Sequence, residues 1–231
     1  MTDFRTTTRR LLTAIALSSL CIGSAVAADK EIPETTPEGL TLVTNEKSRI
    51  VYAAEDFNPS DYTKVMILDG EVAFAKNWQR DYNRDAMGLD GRVKDSDVAR
   101  MKSKLAAELK TVFTETMTAN GHEVVTEAAA DVIILRPAII NVVANAPDVR
   151  AGGISRTYVA DAGEMTLYLE LYDSVSGSLL AQIIDQQRAK KTAPTVGYSS
   201  SMANLNAVDR ILKDWANELA GHFGEMSSPA Q

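Results

Sequence analysis

The sequence predicts an α+β domain in which a single, mostly antiparallel sheet of about five to seven strands carries two helices packed on one face. Three observations predict it. Segments running from Val98 to Met117 and from Leu205 to Phe223 place apolar residues at helical spacing, a one-sided pattern that needs a layer to cover. Residues 164–172 alternate strictly, with Met165, Leu167, Leu169 and Leu171 against Thr166, Tyr168, Glu170 and Tyr172, as a strand with one wet face does. The elements follow the order strands, helix, strands, hairpin, helix, so the sheet supplies the layer that the helices lack.

The first 27 residues stand apart from the fold. Arg5, Arg9 and Arg10 make a positive start, Leu11 to Ile22 an apolar stretch, and Ala25-Val26-Ala27 the small residues that signal peptidase accepts, so an export signal cut before Ala28 is expected. The apolar stretch is shorter than the roughly 20 residues of a spanning helix and includes Thr13, Ser18 and Ser19. No later segment is apolar for long enough to span a bilayer. Cleavage would remove three Arg and one Asp from a chain of formal charge −7, leaving −9. It would also remove Cys21, the single cysteine, so a disulfide, a Cys-ligated metal or a thiol nucleophile is not expected. Lipidation of Cys21 would call for a small residue before it, and Leu20 stands there. A soluble periplasmic protein is therefore expected, with an outer-membrane-anchored lipoprotein as the alternative and membrane contact only if Cys21 is lipidated.

The remaining elements follow in chain order. Residues 28–38 carry charge, Thr and two Pro and read as a flexible leader to a single domain over 39–224. Strands are expected at 40–44, 48–54 and 64–75, followed by a long loop from Lys76 to Lys94. In the first helix Asp95 or Ser96 can cap, Asp97 suits the positive end of the dipole, and Gly121 follows Asn120 as a stop. Strands at 122–127 and 131–145 come next, rich in Val and Ile, with Pro137 hinting at a bulge or an edge. A loop from Asn145 to Ala162 with Gly152-Gly153, Arg150 and Arg156 reads as a linker. The 164–172 strand then turns through Asp173-Ser174-Val175-Ser176-Gly177 into a second alternating run of Leu179, Ala181 and Ile183, which is a hairpin. The last helix carries Leu205, Val208, Leu212, Trp215, Leu219 and Phe223 on one stripe, and residues 225–231 form a disordered tail.

Chemistry is conspicuous by what is missing. The acidity and the lack of any Lys/Arg run longer than a pair argue against nucleic-acid binding and against an anionic membrane surface. His122 and His222 lie on different elements and neither belongs to a zinc-holding pair. Gly197-Tyr198-Ser199-Ser200-Ser201 has Ser where a nucleophile elbow needs its second Gly, and no nucleotide-binding glycine motif occurs. Asp81, Asn83 and Asp85 match the first ligands of a calcium loop, but Ala86 and Arg92 stand where Gly and Glu are required. No catalytic, cofactor-binding or metal-binding residue is assigned on this basis. The candidate interaction site is the loop carrying Trp78, Arg80, Tyr82 and Arg84, since a long loop bearing aromatic residues is a common anchor for protein contacts. The competing reading is that Trp78 folds back on the core.

Short motifs recur together along the chain: Arg49-Ile50-Val51-Tyr52, Asp61-Tyr62-Thr63-Lys64-Val65-Met66, Val72-Ala73-Phe74 with Trp78, Ala162-Gly163-Glu164-Met165-Thr166-Leu167, Leu171-Tyr172-Asp173-Ser174-Val175-Ser176-Gly177 and Asp214-Trp215-Ala216. In combination they resemble the bacterial family carrying domain of unknown function 3313, over roughly residues 40 to 222. The resemblance implies an exported protein, frequently a lipoprotein, with no biochemical activity attached. It lends no site residues.

Two classes of function are left. One is a non-catalytic envelope protein that binds another envelope protein or a small ligand, acting as an accessory factor or, if anchored, as an auxiliary subunit of a transport or assembly complex. The other is a hydrolase whose carboxylates or serines meet only in three dimensions. A pocket with convergent titratable groups would favour the hydrolase, and a flat apolar patch near Trp78 and Tyr82 the binder.

Overall fold

A computed structural model describes residues 32–85, 92–144, 163–188 and 201–224, with side chains of the last segment described from Ala207. Its strands are β1 (Thr41–Asn45), β2 (Arg49–Ala53), β3 (Lys64–Ile67), β4 (Glu71–Phe74), β5 (Glu123–Val124), β6 (Val132–Val143), β7 (Glu164–Asp173) and β8 (Leu179–Arg188). The helices are α1 (Trp78–Asp85), α2 (Asp95–Ala119) and α3 (Ser201–Gly224). Cys21 and the stretches read as a linker, 145–162, and as a tail, 225–231, lie outside the described residues.

The fold is α+β, but the sheet corrects the expectation in size and in pairing. Among the described residues it holds eight strands, in the order β1-β2-β8-β7-β6-β3-β5, with β4 also pairing β6. Pairs β1·β2, β2·β8, β8·β7 and β7·β6 are antiparallel, whereas β3 and β4 both run parallel to β6, and β3 parallel to β5. The 25-residue α2 is the cause. A helix of that length returns the chain along the sheet, so the strand that follows starts from the same end as the strand that preceded it.

The single strand expected over 64–75 is two. β3 pairs residues 132–135 of β6 and β4 pairs residues 138–142, so they lie end to end along one side of β6. Gly70 sits at the break, where an added Cβ would stand 2.6 Å from Leu109 Cδ2. Pro137, which has no backbone N–H to donate, falls opposite the same break. The bulge that it hinted at lies further along, where the register slips between Ile140 and Val143 and Asn141 takes a φ of 54°.

A third helix, α1, occupies part of the stretch read as loop. Its eight residues carry only two apolar side chains, Trp78 and Tyr82, one turn apart, too few to register as a periodic segment. The start of α2 differs in detail. Neither Asp95 nor Ser96 caps it; Asp97 reaches back to accept the Lys94 backbone N–H at 3.0 Å. That bond, together with Arg100, holds the Asp97 carboxyl below its ordinary range. Gly121, with φ 89°, ends α2 as expected.

Two of the helices do pack on one face. Leu109, Val112, Phe113 and Met117 of α2 and Ile211, Leu212, Trp215, Leu219 and Phe223 of α3 share one core with Val65, Ile133, Leu135, Ile139, Leu167, Leu169 and Leu171. The period-two expectation for residues 164–172 holds, since the leucines of β7 all point into this core. On the same side, Arg49 of β2 bridges the buried Asp185 of β8 and Glu218 of α3. Residues 34–36, read as the end of the leader, are hydrogen-bonded to the start of β1: Leu42 N donates to Glu34 O at 2.8 Å and Thr36 N to Leu40 O at 2.9 Å.

Candidate functional site

Among the residues singled out in the sequence, the structure packs Trp78 with Tyr82 and turns Arg80 and Arg84 to solvent. Trp78 is 8% exposed, stacks on Phe74 with centroids 4.4 Å apart, and donates its indole N–H to Ala144 O at 3.1 Å. Tyr82 lies 5.9 Å from it, and burial raises its hydroxyl pKa. These are packing roles that seat α1 against the ends of β4 and β6. Arg80 and Arg84 instead extend into solvent, sharing Asp81 Oδ1 at 3.0 and 3.4 Å. Exposed pairs of this kind are worth little.

The three calcium-like positions point to different tasks. Asp81 is held by the arginines, Asp85 meets Arg84, and the Asn83 amide clasps Val93 by accepting its N–H at 2.7 Å and donating to its carbonyl at 2.8 Å. Among the described residues no group of three His, Cys, Asp or Glu is placed to hold a metal ion. His122 approaches Ala220 O at 3.3 Å and packs edge-on against Phe223.

A denser constellation lies elsewhere, on the face of the sheet turned away from α2 and α3. The residues of β7 that alternate with its core leucines put Tyr168, Glu170 and Tyr172 there, and the register sets Glu170 between Arg136 of β6 and Gln182 of β8. Tyr168 donates to Glu170 Oε1 at 3.0 Å and Tyr172 to Oε2 at 2.9 Å. Arg136 Nη1 meets Oε2 at 3.2 Å, and Gln182 Nε2 donates to the Tyr168 oxygen at 3.1 Å. The Glu170 side chain is only 13% exposed although it lies on a face that none of α1, α2 and α3 shares with the core, whereas Arg136 is 56% exposed. Around the cluster stand half-buried Ile50, Met66, Ile134, Ile140 and Ile184. The segment before β1 reaches this face at Tyr52, whose hydroxyl donates to Pro33 O at 3.0 Å.

The electrostatics follow from that crowding. Burial, then the hydrogen bond to Glu170, pushes the Tyr168 hydroxyl up to about 12; outside the cluster, burial and Asp173 do the same for Tyr62. Two hydroxyls ionising about two units above the ordinary value of 10 should appear in an ultraviolet titration as a late phase. The sign for stability is set by the same shift: the unfolded chain releases these protons near pH 10 and the folded chain holds them to about 12. Stability present below pH 10 is thus lost as pH rises to 12. Tyr168→Phe should remove part of the late phase.

What the arrangement can do chemically is limited. Both oxygens of Glu170 accept from a tyrosine, and one also from Arg136, which leaves the carboxylate engaged rather than poised as a base. In the sequence Tyr168, Glu170 and Tyr172 stand only as the wet face of a strand, and the signal for the site is their Tyr-x-Glu-x-Tyr spacing.

A family model described as a protein of unknown function, DUF3313, matches residues 38–219. No curated protein matches the chain. Among solved structures, the chain is similar to the PelC dodecamer from Paraburkholderia phytofirmans, at 10% identity over 76% of this chain and 97% of that one with a TM-score of 0.35. It is also similar to protein XCC0632 from Xanthomonas campestris, of family DUF330, at 14% identity over 77% and 94% with a TM-score of 0.37. A DUF4136 family protein from Bacteroides thetaiotaomicron is 11% identical over 77% and 98%, with a TM-score of 0.34.

Proposed function

The chain belongs to the family of unknown function DUF3313, and on that premise we propose that it is an exported, non-catalytic cell-envelope protein that binds another protein through the helix-free face of its sheet. The carrying observation is the asymmetry of the two faces. One is closed by α2 and α3, and the other displays a row of tyrosines and isoleucines around a held Arg136–Glu170 pair. Tyr and Arg are the residue types that dominate binding energy at protein interfaces. The candidate site thereby moves from the α1 region, where Trp78 is used up in packing, to β6, β7 and β8. Export rests on the leader pattern of residues 1–27.

A photo-crosslinking residue in place of Ile184 on the helix-free face, compared with one in place of the exposed Lys102 on α2, tests the reading in cells. A specific adduct is expected from position 184 and none from 102. Absence of the first, or equal labelling from both, would overturn the proposal. The same purified material should begin at Ala28 by mass spectrometry, and an intact Met1 would remove export.

A further inference from the structure

We infer that the segment of the partner that docks on the helix-free face is basic, a refinement that rests on the binding role proposed above. The charges on that face do not cancel. Lys64 pairs with Asp131, Arg188 with Glu164, and Arg136 with Glu170. Among the described residues beside the Tyr168–Glu170 cluster, two carboxylates are left over. Glu71 shares its register position with Ala138, beside Tyr168, and acts on Arg136 only at a distance. Glu38 belongs to the segment before β1 that reaches this face through the Tyr52–Pro33 hydrogen bond, and its charge acts on the Tyr168 hydroxyl. Both are exposed, and neither has an ion-pair partner among the described residues.

This surplus separates the possible occupants. A second copy of the chain would bring an equally acidic surface, and Arg136 is already neutralised by Glu170, so self-pairing of this face is opposed. An anionic lipid surface is repelled for the same reason. A polypeptide segment with Lys or Arg set among apolar side chains meets all the features at once. Its cations face Glu38 and Glu71, and its apolar side chains cover Tyr168, Tyr172, Ile134 and Ile184. Its cations can also lie over the tyrosine rings.

Titration of the purified protein with an alternating Lys–Leu decapeptide and with its Glu–Leu counterpart, followed by backbone amide shifts, tests the inference. The Lys–Leu peptide is expected to shift amides of β6, β7 and β8. Changing both Glu38→Gln and Glu71→Gln should weaken it about five-fold, the size of two exposed ion pairs. The matched change Glu108→Gln with Glu115→Gln, on the exposed side of α2, alters net charge equally and should leave the affinity unchanged. Equal weakening by the two double variants, shifts confined to α2 and α3, or equal binding of the Glu–Leu peptide would each overturn the basic partner. A specific adduct at position 184 together with any of those results would keep the binding role and discard only its charge preference.

Discussion

Replacement of Trp215 by Ala is expected to lower the free energy of unfolding by about 3–5 kcal/mol, the cost of deleting a large aromatic side chain from a packed core. Trp215 is 3% exposed and belongs to the same cluster as Leu212 and Leu219 on its own helix and the leucines of β7. The cavity left behind lies between a helix and a sheet, two rigid layers that collapse poorly. One detail sharpens the test. The Trp215 indole nitrogen is buried without a hydrogen-bond partner, an arrangement that costs free energy in itself. Trp215→Phe, which keeps most of the ring and deletes that nitrogen, is therefore expected to cost less than about 1.5 kcal/mol. Urea unfolding followed by circular dichroism reads both. An unchanged midpoint in the Ala variant would show that α3 does not rest on the sheet.

The second large effect concerns Arg49. Its guanidinium donates from Nε to Asp185 Oδ2 at 2.9 Å and also binds Glu218 of α3. Asp185 is 1% exposed, and among the described residues its carboxylate has, beyond Arg49, only the Gln187 amide at 3.2 Å. Arg49→Met would strand that carboxylate in the core and release the tie to α3, and a loss of about 3–5 kcal/mol is expected, the usual cost of breaking a buried pair from one side. Removing the acid as well, by Asp185→Leu, should restore part of the loss, because the uncompensated charge goes with it. A double-mutant cycle by chemical denaturation checks this. If the double variant loses the full sum of the two single losses, Arg49 and Asp185 do not act as a pair.

How much could be read from the chain differs from element to element. The periodicity of residues 98–117 and 205–223 marked α2 and α3, and the alternation of 164–172 marked β7, because each repeats over several turns or pleats. Helix α1 went unread because its eight residues hold two aromatic side chains and six polar ones. Its stability comes from Trp78 stacking on Phe74 and bonding Ala144, and both contacts lie outside the helix. The site was legible by half. Spacing placed Tyr168, Glu170 and Tyr172 on one face of one strand, but Arg136 and Gln182 arrive from 34 and 12 residues away in sequence. Only the pairing register makes them neighbours.

Local chemistry along the chain was thus sufficient for the α+β class, the two covering helices, the hairpin and the stop at Gly121. Apolar spacing and turn residues act over a few residues and do not depend on what lies across the sheet. The parallel run of β3 and β4 beside β6, the break that accommodates Pro137, the Arg49 tie to α3 and the Glu170 cluster were decided by the assembled fold. Each depends on which strand lies next to which and in what register. That choice is made by the long α2 crossover and the shared core, at a distance that no local pattern spans.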